Sequence, residues 1–428
     1  MRNTYLHRLS SSALLILLLG AALLAPIPAS AQTAPAVKID LDQAIQLALQ
    51  HNHSLLAARS GIQQSQAEEI TAAIRPNPVF TYDDLYVPIT DFSSTTINQV
   101  AEFDLGAAFT WERGHKRDAR VEAAKDNTIV TRTQVSDNER TLTFNVAQQF
   151  INVLLAKSTL DFARQGLDSF QKTVDISLSE YKAGAISEGD YLKIKLQLLQ
   201  FQTDVSSAQL ALVQALAGLH QYLGYDAVPD SYDVLGELAY KPVNLNRQDL
   251  ELMAMQHRPD LLAAKQGVTL ANGEYKLARA NGKRDLTTAF TYTHVAGLNT
   301  GGFTASIEIP VWDRNQGEIA RTNYAVGGAQ QSQKAAQDQV MTDVTTAYEG
   351  LHTADQVAGL YESGYLKQAQ DSRDISEYAY KRGAASLLDF LDAERSYRAT
   401  ELAYRQALAN YMLAVEQVRE AVGVRSLP

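Results

Sequence analysis

The feature that most constrains the fold is an internal duplication. Five short segments of the first half recur in the same order in the second half, at offsets of 199 to 210 residues. They include Gln-His at 50–51 and 256–257, Trp-Glu-Arg and Trp-Asp-Arg at 111–113 and 312–314, and Tyr-Lys-x-Gly at 181–184 and 380–383. A period of this length is too long for a short-repeat solenoid. We therefore predict two copies of one unit, at residues 32–240 and 241–428.

The distribution of proline predicts which element dominates each copy. Proline is absent between Pro88 and Pro229, and again between Pro310 and Pro428. Because proline inside a helix costs about 3 kcal/mol, these stretches favour very long helices. At about 1.5 Å per residue, a helix of this length spans roughly 100 Å, so it must pack lengthwise against similar helices.

Each unit is predicted to contain a helix, two strands, a very long helix and a return helix. In the first unit these are helix 40–75, strands 79–87 and 101–111, and helices 115–181 and 187–224. In the second unit they are helix 246–281, strands 287–294 and 302–311, and helices 316–380 and 386–424. The N-cap residues Asp40 and Asn246, with Gln43 and Asp249 three residues later, are typical of capping boxes. Extra residues in the first unit predict a surface loop at 88–100.

The strands show a period-2 pattern with one apolar side, most clearly at 103–111 and 303–311. Each strand has about the length that a tilted strand needs to cross a bilayer, although a soluble antiparallel sheet fits the pattern equally well. Four strands are too few for a barrel, which needs about eight, so a membrane sheet implies an oligomer. In a membrane, the lipid-facing positions would be Phe103, Leu105, Phe109, Phe303, Ile307 and Ile309.

Residues 1–31 have the pattern of a secretory signal peptide. Arg2 and Arg8 precede an apolar run, and small residues at 29–31 predict cleavage near Ala31. The alternative is an uncleaved anchor helix, for which the apolar run is short. Removing these two basic residues from a net charge of −10 leaves the mature chain at −12. This acidic balance argues against nucleic acid as a partner.

The sequence contains no recognisable catalytic constellation. Cysteine is absent, which excludes disulfides, thiolate metal sites and cysteine nucleophiles. No Gly-rich phosphate loop or H-E-x-x-H motif is present, and the histidines are scattered. We therefore expect no enzymatic activity, no cofactor and no bound metal.

Several segments resemble the TolC-type outer-membrane efflux channel family over residues 38–425. They are Leu-Asp-Gln-Ala-Ile at 41–45, Arg-Pro-Asn-Pro at 75–78, Pro-Val-Trp-Asp-Arg-Asn-Gln-Gly at 310–317, and Leu-Asp-Phe-Leu-Asp-Ala at 388–393. The second and third are most similar to the branch that serves cobalt-zinc-cadmium-type resistance-nodulation-division (RND) pumps.

The resemblance implies a mainly α fold with a small β part. Three chains would form a homotrimer, in which a twelve-stranded outer-membrane barrel continues into an α-helical coiled-coil tunnel across the periplasm. A periplasmic adaptor and an inner-membrane RND-type pump would dock at the tunnel tip, and metal cations or small toxic compounds would pass through. Two other readings stay open: a secreted or periplasmic coiled-coil structural or adhesion protein, and an outer-membrane channel for type I protein secretion.

The resemblance also implies roles for the two predicted hairpin turns. Asp389 and Asp392 fall where related channels place an acidic constriction, with Arg382 as a substitute for a missing basic residue at Ala385. The alternative is that both carboxylates lie on a solvated helix face. The positions expected to contact the adaptor are Tyr181, Gly184, Ala185, Tyr380, Gly383 and Ala384.

Overall fold

The computed structural model describes residues 37–90 and 93–427. The predicted signal peptide at 1–31 lies outside these residues. From Lys38 onward the chain forms one unit. Its helices are α1 (Leu41–His51), α2 (His53–Ala73), α3 (Ser94–Val100), α4 (Lys116–Lys182), α5 (Glu188–Leu223), α6 (Arg247–His257), α7 (Pro259–Asn281), α8 (Gln316–Leu360), α9 (Leu366–Lys381) and α10 (Leu387–Val422). Its strands are β1 (Val37–Ile39), β2 (Val79–Leu85), β3 (Glu102–Trp111), β4 (Tyr232–Val234), β5 (Leu286–Val295) and β6 (Leu298–Ile307).

The first helix of each unit is broken once, where the sequence predicted a continuous helix. In the first unit Asn52 has ψ 115° and its side chain accepts a hydrogen bond from the backbone N–H of Leu55. In the second unit Arg258 has ψ 120° and precedes Pro259, which disfavours helical geometry in the residue before it. The predicted helices 40–75 and 246–281 are therefore wrong as single elements.

The N-caps of these helices also differ between the copies. Asp40 accepts from the N–H of Gln43 at 2.8 Å, and the Gln43 side chain accepts from the N–H of Asp40 at 3.1 Å. This is the predicted capping box. Asn246 instead accepts from the N–H of Gln248, so the predicted box with Asp249 does not form.

The two long helices differ in continuity. α4 runs unbroken for 67 residues. In the second unit the predicted helix 316–380 is interrupted by a π-helical turn at Tyr361–Tyr365, in which Gly364 has φ 121°. Only glycine adopts this backbone geometry readily, and the turn separates α8 from α9. Within the described residues, no helix has both the length and the apolar character that crossing a membrane requires.

The four long strands form one antiparallel sheet in the order β2-β3-β5-β6. β5 and β6 are joined by a two-residue turn, in which Ala296 and Gly297 both have positive φ, as in a type I′ hairpin. This tight turn and Pro310 place β6 at Leu298–Ile307, so the predicted strand 302–311 is wrong at both ends. Ile309 consequently lies outside the sheet.

The register gives the sheet two chemically different faces. Directly opposed residues of antiparallel strands project on the same side, and Leu105 is opposite both Tyr82 and Tyr292. One face is therefore rich in apolar and aromatic residues: Phe80, Tyr82, Phe103, Leu105, Phe109, Trp111, Phe290, Tyr292, Phe303 and Ile307. The other face carries small and polar residues, including Asp83, Asp104, Gly106, Thr291, Gly302 and Thr304.

The segment predicted as a loop at 88–100 contains a short helix, so the prediction is wrong for its second half. α3 is seven residues long, begins at the N-cap Ser93 and has no buried residue. The Ser93 hydroxyl accepts from the N–H of Thr96 at 3.1 Å. The polar composition of this segment predicted a loop, but the Ser93 side chain caps and starts a short helix.

Each unit has its own apolar core around the first helices. Ala44, Ala48 and Leu55 pack with α4 and α5 in the first unit, together with the small β1–β4 sheet. Leu250, Ala254 and Leu261 pack with α8 and α10 in the second.

Beside the second core, a charged cluster is centred on Arg258, which is 3% exposed. Its guanidinium donates to Asp260 and to Asp343 at 2.7 Å. Burial would lower the pKa of Arg258, but these two carboxylates raise it.

We expect Arg258→Ala to destabilise the helical body by about 3–5 kcal/mol, because it leaves Asp260 and Asp343 without their partner. The apparent unfolding midpoint in guanidinium chloride measures this effect. The matched control is Arg321→Ala, whose ion pair with Glu318 is exposed to solvent and is therefore expected to contribute little to stability. Equal shifts for the two variants would contradict a structural role for the buried cluster.

Candidate functional site

The two hairpin turns at the ends of the long helices have the same backbone design. Gly184 and Gly383 have φ of 73° and 70°, so each helix ends in a left-handed residue for which glycine is favoured. Two hydrogen bonds close each turn: Gly184 N–H to Tyr181 O and Ala185 N–H to Glu180 O in the first, and Gly383 N–H to Tyr380 O and Ala384 N–H to Ala379 O in the second. The turns are therefore paired Schellman motifs at one end of the helical body.

The return helices α5 and α10 begin with equivalent serine caps. The hydroxyl of Ser187 accepts from the N–H of Asp190 and donates to its carboxylate at 2.8 Å. Ser386 makes the same two contacts with Asp389, and its own N–H also donates to that carboxylate at 3.1 Å. The hydrogen bonds from Ser386 lower the pKa of Asp389 below its ordinary value.

The three predicted gate residues therefore have different environments. Asp389 is exposed, but its carboxylate is held in the helix cap. Asp392 is also exposed, and within the described residues its side chain has no hydrogen-bond or ion-pair partner. The guanidinium of Arg382 lies over the ring of Tyr378 at 5.3 Å and makes no ion pair with either carboxylate in the described chain. Of the two carboxylates, only that of Asp392 is therefore left without a partner in the described chain.

Aromatic pairs stabilise both hairpin turns. Tyr181 stacks on Tyr191 at 5.4 Å between ring centroids, and Tyr380 stacks on Phe390 at 5.5 Å. Phe390 is 2% exposed and packs into a core with Phe170, Phe201 and other residues of the first hairpin. Burial raises the pKa of the Tyr380 hydroxyl, and the carboxylates of Glu180 and Asp190 add to this shift.

The positions predicted to contact an adaptor are therefore not equivalent. Tyr181, Gly184, Ala185, Gly383 and Ala384 are exposed. Tyr380 is half-buried, because its ring lies against Phe390 at the contact between the hairpins.

A belt of charged residues between the two hairpins was missed by the sequence reasoning. Arg398 pairs with Asp204, and its guanidinium lies 4.0 Å from the ring centre of Phe201. Arg405 covers Phe162 in the same way at 4.4 Å. Their spacing of seven residues, which repeats one helix face in a coiled coil, is the signal that was overlooked.

Glu394 lies beside this belt, on a cleft of about 270 Å³. Burial raises its pKa, although Arg373 and Arg398 act in the opposite direction. Among the described residues, no group of three or more His, Asp or Glu side chains is arranged to hold a metal ion.

Of the positions predicted to face lipid, five share the aromatic face of the sheet: Phe103, Leu105, Phe109, Phe303 and Ile307. Phe103 stacks on His294 at 5.1 Å, and Phe109 contacts Trp111 at 4.6 Å. Ile309 lies beyond the last strand and is excluded from this face.

The model of the outer membrane efflux protein family matches residues 44–225 and again 252–424. The chain belongs to this family. The cobalt-zinc-cadmium resistance protein CzcC of Cupriavidus metallidurans is 22% identical over 389 residues, which cover 90% of this chain and 90% of that protein. The cation efflux system protein CusC of Escherichia coli is 26% identical over 323 residues, which cover 69% of this chain and 66% of that protein.

The fold is also that of solved channels. The structure of the outer membrane protein VceC of Vibrio cholerae superposes with a TM-score of 0.73 at 18% identity, covering 90% of this chain and 96% of that one. The family match and the relatives confirm three predictions: the family resemblance, efflux as the function, and the outer membrane as the location. The family consists of efflux proteins, which are transporters rather than enzymes.

The cap at Asp389 gives a testable pH dependence. Because the pKa of Asp389 is depressed in the folded state, its stabilisation is present above the ordinary value of 3.8 and is lost as pH falls through the folded pKa. We expect Ser386→Ala to reduce amide protection over residues 386–392 at neutral pH. In the wild type this protection should fall in acid, whereas in the variant, which lacks the cap, it should no longer depend on pH in this range. Hydrogen exchange read by mass spectrometry measures this. Ser187→Ala is the control, which should affect residues 187–193 only. Unchanged protection at 386–392 in Ser386→Ala would contradict the cap.

Proposed function

We propose that the chain forms a homotrimeric channel in the outer membrane, which passively conducts metal cations or small toxic compounds delivered by an inner-membrane RND-type pump and a periplasmic adaptor. The proposal places a barrel in the membrane and a tunnel of long helices in the periplasm. The adaptor would dock at the exposed residues of the two hairpin turns, around Gly184 and Gly383.

The observation that carries the proposal is the two-faced sheet with open edges. Within the described chain, β2 pairs only with β3 and β6 only with β5. In lipid each unpaired backbone group costs several kcal/mol, so a membrane sheet has to close. Three chains would supply twelve strands, enough for a barrel. The aromatic face would then contact lipid, and the face with small and polar residues would line the lumen.

Two features support cations as the cargo. CzcC is named for cobalt, zinc and cadmium resistance, and CusC for cation efflux. On the small and polar face of the sheet, Asp83 lies directly opposite Asp104. Like charges in this position destabilise a soluble sheet, whereas in a channel they favour entry of cations.

The acidic constriction is proposed at Asp392 rather than shared equally with Asp389. The second carboxylate is not repeated in the first unit, where the equivalent residue is Lys193. Lys193 pairs with Asp190 at 3.4 Å. In a trimer the free carboxylates would thus come from one hairpin per chain, and Arg382 would be available to close the tip.

A channel for type I protein secretion would have the same architecture. The two readings differ in cargo, which the inner-membrane partner selects. A coiled-coil structural or adhesion protein would need the helices but has no use for an aromatic sheet face of membrane length.

Deletion of the gene distinguishes these possibilities. We expect increased sensitivity to cobalt, zinc or cadmium salts, restored by the wild-type gene, because the cell loses the exit path for exported cations. Growth inhibition measured across these salts and a panel of antibiotics provides the readout. Loss of a secreted protein with unchanged tolerance to metals and drugs would favour the secretion channel. A wild-type protein recovered as a periplasmic monomer would exclude both channels.

Single-channel recording tests the constriction. We expect Asp392→Asn to lower the cation-to-anion permeability ratio by about twofold to fivefold, since a nearby unit charge in water is worth up to about 1 kcal/mol to an ion. Asp389→Asn should change the ratio less, because its carboxylate is engaged by Ser386. The control is Asp338→Asn, an exposed carboxylate on α8. A ratio that is unchanged in Asp392→Asn would reject the assignment.

A further inference from the structure

Basic residues concentrate where the strands meet the long helices, although the chain is acidic overall. Of the segments that flank these strand ends, 113–120 and 276–284 each contain four Arg or Lys residues, and 314–321 contains Arg314 and Arg321. Part of this charge holds the junction together. Three basic residues are already paired with carboxylates: Lys116 with Asp285, Arg120 with Glu112, and Arg284 with Glu308.

Four further basic residues line one open cleft of about 1130 Å³ at this junction: Arg113, Arg279, Lys283 and Arg314. All four are exposed, and within the described residues none of their side chains forms an ion pair with a carboxylate, although the backbone N–H of Arg113 donates to Asp285 at 3.0 Å. Arg279 lies over the ring of Tyr275 at 5.8 Å, and Arg314 donates to the backbone oxygen of Pro310 at 3.3 Å. Their guanidinium and ammonium groups therefore leave most of their donors available.

The acidic residues of the same cleft do not neutralise this charge. Glu122 pairs with Lys276 and Glu308 with Arg284, while Asp118 lies 3.1 Å from the ring of His115. The cleft holds six Arg or Lys side chains against these three carboxylates. The cleft thus presents an excess of positive charge with unsatisfied donors, which is suited to an anion with several oxygen acceptors.

The cleft is continuous with the aromatic face of the sheet. Ile307, the last residue of that face on β6, lines it. The two tryptophans of the chain follow the same ends of the strands: Trp111 is the last residue of β3, and Trp312 lies five residues after the end of β6 with 88% of its surface exposed. Tryptophan is favoured at the boundary between hydrocarbon and headgroups, and basic residues are favoured beside anionic headgroups. An acyl chain on the aromatic face would bring its headgroup to this cleft.

We propose that this cleft binds the phosphate of anionic phospholipids in the periplasm-facing leaflet of the outer membrane. Arg113, Lys283 and Arg314 supply the charge, while Trp111 and Trp312 set the depth of the sheet in the bilayer. The inference rests on the proposed function, since it requires the sheet to be in a membrane. It adds a lipid-recognition site at the junction between barrel and tunnel.

Native mass spectrometry of the intact oligomer, titrated with phosphatidylglycerol or phosphatidylcholine, tests the site. The wild type should prefer phosphatidylglycerol. The double variant Lys283→Gln with Arg314→Gln should lose affinity for it by roughly fivefold for each charge removed, with little change for phosphatidylcholine. The charge-matched control is Lys195→Gln with Lys334→Gln, two exposed lysines outside the cleft, which should retain the preference.

Several outcomes would overturn the inference. An equal loss of phosphatidylglycerol affinity in both double variants would show that the affinity depends on net charge and not on this cleft. Displacement of the lipid by millimolar inorganic phosphate would indicate a free-anion site. Unchanged lipid affinity with altered anion permeability would place the cleft on the lumen. If the wild type does not insert into vesicles as a conducting oligomer, the proposed function fails and this inference fails with it, whereas an inserted channel without lipid preference removes only the inference.

Discussion

The open edges of the four-stranded sheet are the constraint on which the rest of the structure depends. A single chain offers one aromatic face and two unpaired edges, β2 and β6. In water such edges invite aggregation, and in lipid they leave backbone groups unsatisfied. Closure by identical neighbours removes both problems at once. It also brings the long helices attached to each strand side by side, so that the proposed tunnel follows from the proposed barrel.

The duplication explains why two different hairpins share one local design. Both long helices end at a glycine in the left-handed region, and both return helices begin at a serine that caps an aspartate three residues later. These features depend only on short-range backbone chemistry, so they survive divergence of the surrounding residues. The position six residues after each serine cap is free to change, and there the copies carry Lys193 and Asp392.

The features that the sequence predicted correctly are those encoded by short segments of the chain. The Tyr-Lys-x-Gly segments located both turns, and strict alternation located β3. Predictions that required the conformation of single residues were wrong. The break at Asn52 leaves the helical periodicity on both sides almost intact. The tight turn at Ala296 and Gly297 requires positive φ in an alanine, which the residue type does not predict. Pro259 was a visible signal for the second break.

Contacts between distant segments lay beyond sequence reasoning for a different reason. The pairing of Arg398 with Asp204, and the covering of Phe201 by the same guanidinium, depend on how the two hairpins pack. Similarly, the family resemblance placed Asp389 and Asp392 together as gate residues, because both fall in the matching Leu-Asp-Phe-Leu-Asp-Ala segment. Only the position of Ser386 shows that one carboxylate caps the helix and the other is free.

The two hairpins also differ in how firmly each is held. Near its turn α4 buries Phe170, Val174 and Ser177, whereas α9 has no buried residue and joins α8 through the π-helical turn at Gly364. Segments with few buried contacts are those that open at the lowest free energy. The first hairpin therefore provides the fixed surface against which Phe390 anchors the second. The free carboxylate of Asp392 lies on the return helix of the less buried hairpin, six residues after its N-cap Ser386.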